Sequence, residues 1–110
     1  MAKAAKKSAR GRAAPRLAKV RPGELLTLLD LVRYAVSRFV EARLAFAHGT
    51  TDPVAEAAFL VCEALHLHPE QLDTFANARV TAAEGKTILG LIHRRVTTRK
   101  PAAYLVNKIY

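Results

Sequence analysis

The chain has 110 residues, 51% of them hydrophobic, and a formal net charge of +9. That length gives one small domain with a compact core and excludes a second. A single cysteine, Cys62, excludes an internal disulfide framework, and no apolar run reaches membrane-spanning length, so the expectation is a cytoplasmic protein without membrane contact.

The charge is unevenly spread. Residues 1–22 contain eight basic residues and no acid: Lys3, Lys6, Lys7, Arg10, Arg12, Arg16, Lys19 and Arg21. The remainder carries ten basic and nine acidic residues, so the body is almost neutral. The tail lacks an apolar face and is interrupted by Gly11 and Pro15, with Pro22 and Gly23 closing it. It cannot bury enough apolar surface to offset its ordering entropy, and the expectation for 1–22 is disorder. Two readings of it stay open. It is a solvated, solubilising arm, or it is drawn non-specifically and salt-sensitively to RNA or another polyanion. An organellar transit peptide is a weaker match, because amphipathicity is poor.

Residues 23–100 read as an all-α body, a small bundle of about four helices. The first helix spans about Leu28 to Ala45, with Thr27 as N-cap and Asp30 three residues on. Leu28, Leu31, Val32, Ala35, Val36, Phe39 and Val40 share its apolar side. Gly49 is the expected helix stop in the following link, and Asp52–Pro53 reads as N-cap and first helical residue. The second helix, about Pro53 to His66, is apolar on most faces, with Glu56 and Glu63 marking a narrow wet strip, so it is central. A short helical turn is expected from Pro69 to Ala76. Thr81 and Glu84 then form a capping box opening a last helix from Ala82 to about Lys100.

On that last helix Arg95 and Arg99 fall inside the apolar arc defined by Ile88, Leu89, Leu91, Ile92 and Val96. Either they snorkel at the helix end, or that end faces another surface and pairs with carboxylates there. After Pro101 the composition turns β-like, with Tyr104, Leu105, Val106, Ile109 and Tyr110. Residues 101–110 therefore read as the start of a strand, poorly held without a mate.

The residues hold no enzyme-like constellation. Gly85–Lys86–Thr87 resembles the end of a phosphate loop, but the position needing an earlier glycine is Val80 and a capping box precedes it. His66 and His68 are two apart, awkward for two helical metal ligands, and His48 and His93 stand apart from them. Cys62 reads as a small buried apolar residue rather than a nucleophile. No catalytic, metal-ligating or cofactor-binding residue is assigned.

Three stretches together carry a resemblance: "LLTLLDLVRYAVSRF" (25–39), "HGTTDPVAEAAFLVCEALHL" (48–67) and "HRRVTTRKPAAYLVNKIY" (93–110). In this order and spacing, residues 24–110 resemble the N-terminal region of bacterial protein-glutamine N5-methyltransferases. Arg99, Pro101, Tyr104 and Leu105 match a pattern shared with the branch that modifies peptide-chain release factors. The loop from His48 to Asp52, the Glu56–Ala57 pair and Asn107 point instead to the branch acting on large-subunit ribosomal protein L three. The resemblance implies a substrate-recognising helical domain, a β-hairpin linker, and a Rossmann-like domain that binds S-adenosylmethionine. It also implies an Asn-Pro-Pro-Tyr motif that positions the glutamine amide.

Neither that motif nor a glycine-rich cofactor loop occurs in these 110 residues. The expectation is that this chain lacks the catalytic domain and is inactive alone. Its partners would then be a ribosomal protein substrate and that catalytic domain. Arg95, Arg99, Pro101, Tyr104 and Asn107 are the candidate domain-interface or substrate contacts, and residues 101–110 the start of the linker. A different class, a free-standing basic helical adaptor binding RNA through the tail, is the alternative.

Overall fold

The computed structural model describes residues 24–45, Leu26 apart, and 52–109; of 107–109 only the backbone is described. The basic tail, and the loop containing His48 and Gly49, lie outside the described residues. The described chain is helical: α1 (Leu28–Glu41), α2 (Pro53–Ala64), a 3-10 turn (Pro69–Gln71) running into α3 (Leu72–Phe75), α4 (Ala82–Thr98) and α5 (Ala102–Ile109). An isolated antiparallel β bridge joins Thr27 to Arg79.

Each long helix begins where its capping residues place it. Thr27 Oγ1 accepts from the Asp30 amide, and the Asp30 carboxylate accepts from the Thr27 amide, both at 3.0 Å. The two amides between them, Leu28 and Leu29, donate to the carbonyls of Ala78 and Ala76 at 3.2 and 3.0 Å. Leu31 donates to Thr27, so the opening amides of α1 are all paired, which helix starts require when water cannot serve them. Asp52 accepts from Val54 and precedes Pro53, whose missing N–H costs nothing at a first helical position. Thr81 and Glu84 form the expected reciprocal box at the start of α4.

Helix ends differ from expectation. The first helix stops at Glu41, short of Ala45, because Arg43 takes a left-handed conformation (φ 54°). His66 (φ 61°) turns the chain after α2, and Arg99 (φ 62°) caps α4. Three helices thus stop at a non-glycine left-handed residue, where sequence reading looks for glycine.

The larger correction concerns the C-terminal residues. Residues 102–109 form helix α5, not the start of a strand. Strand propensity reflects fit to a half-buried pleated surface, and no neighbouring strand lies among the described residues. The helical spacing instead brings Ala102, Leu105 and Val106 onto one buried face, which packs on α2 and α4. Helix α2 is central, touching α1, α4 and α5. Leu31, Ala35, Phe39, Ala57, Leu60, Val61, Ile88 and Ile92 are fully buried where these helices meet.

Candidate functional site

Two charged residues lie inside this apolar core. Glu56 is 6% exposed and Arg95 2% exposed. Helix α2 carries Glu56 inward one residue before Ala57, and α4 carries Arg95 on the same face as Ile88, Leu91 and Ile92. The Arg95 Nε–H donates to Glu56 Oε2, forming a buried ion pair. The same oxygen accepts from the Ala102 amide at 3.2 Å, the first amide of α5. Arg95 Nη2 donates to the Ala45 carbonyl at 2.9 Å, and its guanidinium carbon lies 5.9 Å from the Phe39 ring centroid. Removing either charge from water costs several kcal/mol, roughly, and the attraction offsets that only when further polar atoms are also paired. Here the carboxylate bonds α4 and α5, while the guanidinium bonds α2 and the chain leaving α1.

Arg99 lies one turn further along α4. Its Nη2 donates to the carbonyls of Ala42 and Arg43, each at 3.1 Å, so it caps the C-terminal end of α1. A cation is favoured there by the helix dipole. The Pro101 carbonyl accepts from the Tyr104 and Leu105 amides and so starts α5. Tyr104 is 43% exposed, with Lys100 Nζ 4.7 Å from its ring centroid.

The α4–α5 corner therefore gathers four of the five sequence-predicted contact residues. Arg95 turns inward and presents no guanidinium at a surface. Arg99, Pro101 and Tyr104 are exposed. Asn107 is on α5, but its side chain lies outside the described residues. Of the sequence readings for Arg95, carboxylate pairing is present, but the carboxylate is internal. Glu56 belongs to the expected wet strip but is buried. The signal that could have found it was two opposite charges, each set on an otherwise apolar helical face.

The remaining chemical candidates sit in structural roles. Gly85 and Lys86 lie in the first turns of α4, and the Gly85 amide donates to the Thr81 carbonyl rather than to a loop ligand. The His68 amide donates to Gln71 Oε1 at the 3-10 turn. Cys62 is 1% exposed on α2. Burial, with the Glu63 carboxylate adding to it, pushes its thiol pKa up, away from a reactive thiolate. No described group of three or more His, Cys, Asp or Glu side chains could hold a metal ion.

Comparison with known proteins places this architecture. The ribosomal protein uL3 glutamine methyltransferase of Bradyrhizobium diazoefficiens is 82% identical over all 110 residues, which cover 34% of that relative. The protein of the same description from Bordetella pertussis is 52% identical over 79% of this chain and 29% of its own length. That from Burkholderia pseudomallei is 45% identical over 81% of this chain, again 29% of its length. The chain spans about a third of the length of the curated relatives it matches. No solved structure matches it. The PrmC N-terminal domain model matches residues 30–106, from the capping box of α1 to the buried face of α5, and the chain belongs to that family.

Proposed function

We propose that this chain is the helical, substrate-recognising part of an S-adenosylmethionine-dependent methyltransferase that modifies a glutamine of ribosomal protein uL3. The observation that carries the proposal is 82% identity to such an enzyme along every residue of the chain. The release-factor branch and the free-standing adaptor are less favoured, because the relatives quoted above all carry the uL3 description. The exposed corner of Arg99, Lys100, Pro101 and Tyr104 is the face proposed to meet the catalytic domain or the substrate. Its contribution is positioning: the bundle holds the protein substrate so that one glutamine amide reaches the methyl donor.

The described residues do not fit S-adenosylmethionine. The described glycines, Gly85 and Gly90, lie within α4, and neither belongs to a glycine-rich loop after a strand. The donor and the chemistry would be held by residues outside these 110, in the cytoplasm where ribosomal proteins are made. No described helix is long and apolar enough to cross a membrane.

The test joins this chain to the catalytic part of the Bradyrhizobium relative and supplies a labelled methyl donor. Label should enter uL3 and not a release factor; transfer to the release factor alone would reject the branch. Arg99→Glu should weaken docking of the chain to that catalytic part more than it lowers the melting temperature of the bundle. The eight tail cations add a second, salt-sensitive attraction to ribosomal RNA in this proposal. Deleting residues 1–22 should then abolish RNA binding while leaving docking unchanged; RNA binding that survives the deletion rejects this role.

A further inference from the structure

We infer that the Glu56 carboxylate is a positioning group: it fixes the direction in which α5 leaves the bundle, while the apolar core holds the helices together without it. The first amide of a helix has no partner within the helix and ordinarily turns to water. Here it belongs to Ala102, which is 1% exposed, so water cannot take the place of Glu56 Oε2. A carboxylate at that place also meets the positive end of the α5 dipole.

The same oxygen receives the Arg95 Nε–H from the last turn of α4. One atom therefore ties the end of one helix to the start of the next across the short connection Arg99–Pro101. That connection is itself restricted, with Arg99 left-handed and Pro101 fixed in φ.

Among the described residues, α5 is also held by apolar burial. Ala102, Leu105 and Val106 give it a small buried face. Apolar attraction is non-directional, so it keeps α5 on the bundle without choosing its angle. A stability role does not account for the pair, because well-packed apolar replacements of buried ion pairs are often neutral or stabilising. What such a replacement cannot supply is an acceptor for the Ala102 amide. In the proposed enzyme, and resting on that reading, α5 would set where the catalytic domain lies relative to the bundle.

The experiment uses the full 110-residue chain and needs no methyl transfer, so its failure is separate from failure of the enzymatic reading. Amide exchange is followed by NMR in the wild type and in Glu56→Leu/Arg95→Met. In the wild type the Ala102 amide should be protected well beyond those of Ala82 and Ala83, the exposed opening residues of α4. In the double variant it should exchange at least ~10-fold faster, while Leu60 and Leu91 stay within about 2-fold, local opening being separable from global unfolding. Nitroxides at Ala55 and Ala103, in a Cys62→Ala background, should give a narrow distance distribution that broadens in the double variant. Wild-type exchange at Ala102 as fast as at Ala82 overturns the inference without any variant. Unchanged protection and distances in the double variant also overturn it. So does loss of protection in all helices together, or failure of that variant to fold, since the pair would then be holding the core.

Discussion

At the residue scale, the buried pair dominates. Arg95→Met alone strands the Glu56 carboxylate, and Glu56→Leu alone strands the guanidinium. Each should lower unfolding free energy by about 3–5 kcal/mol, the usual result of leaving one buried charge uncompensated. Urea denaturation measures this, and a loss under about 1 kcal/mol in both would mean that water reaches the site. The pair was half legible. Arg95 stood out because it interrupts an apolar arc. Glu56 did not, because two acids seven apart on a helix look the same whether they line a wet strip or one of them is buried. Its partner lies 39 residues away, and linear spacing carries no information about that distance.

Cys62 yields a pH dependence at the same scale. The folded chain holds the thiol proton more tightly than the unfolded chain, whose ordinary value is 9.0. Its contribution to stability is therefore intact below the unfolded pKa and is lost as pH rises through the folded value. Between pH 8 and 10, roughly, wild-type stability should fall more steeply than that of Cys62→Ala, compared by urea midpoints. Parallel slopes would show a thiol that ionises as easily folded as unfolded.

At the element scale, helix starts were legible and helix ends were not. Thr27, Asp52 and Thr81 announce their helices because a capping side chain bonds amides two or three residues away. The stops at Arg43, His66 and Arg99 rest on left-handed residues, and a long-range bond ties two of them together. Arg99, for instance, bonds carbonyls at the end of a helix 56 and 57 residues earlier. The misreading of α5 has the same origin. Tyr104 and Val106 are of types enriched in strands, but α2 and α4 offer a helical face a place to be buried.

Within α4, Gly90 is exposed and a methyl group there would meet nothing within 4 Å. Gly90→Ala should stabilise the chain by about 0.5–1 kcal/mol through better helix propensity. A raised urea midpoint with unchanged slope is the expected reading; a lowered midpoint would reveal a contact that the fold does not display.

At the scale of the whole molecule, the bundle depends on its last helix. Ending the chain after Lys100 removes the buried Ala102, Leu105 and Val106 side chains and takes the Ala102 amide from Glu56. The expected loss is about 3–6 kcal/mol, from the apolar surface uncovered on α2 and α4. Calorimetry should show a melting temperature lowered by well over 10 °C, roughly. A shift of only a few degrees would show that residues 24–100 are self-sufficient and α5 merely rests on them. The all-α class and the central place of α2 were readable from periodicity alone, because a helix apolar on most faces has few other places to go.

The way α1 begins has a consequence for synthesis. Its Leu28 and Leu29 amides are satisfied by Ala78 and Ala76, about fifty residues downstream. While the chain emerges from the ribosome, α1 can coil, but its opening turn has no native acceptors until α3 and the bend after it are outside. The Ala102 amide that completes the corner at Glu56 arrives later still. The nascent chain must therefore hold several partly formed helices with apolar sides uncovered until Ala102 has emerged. Slowing elongation while Ala78 is still inside the ribosome should lengthen the chain's exposure to proteases and chaperones.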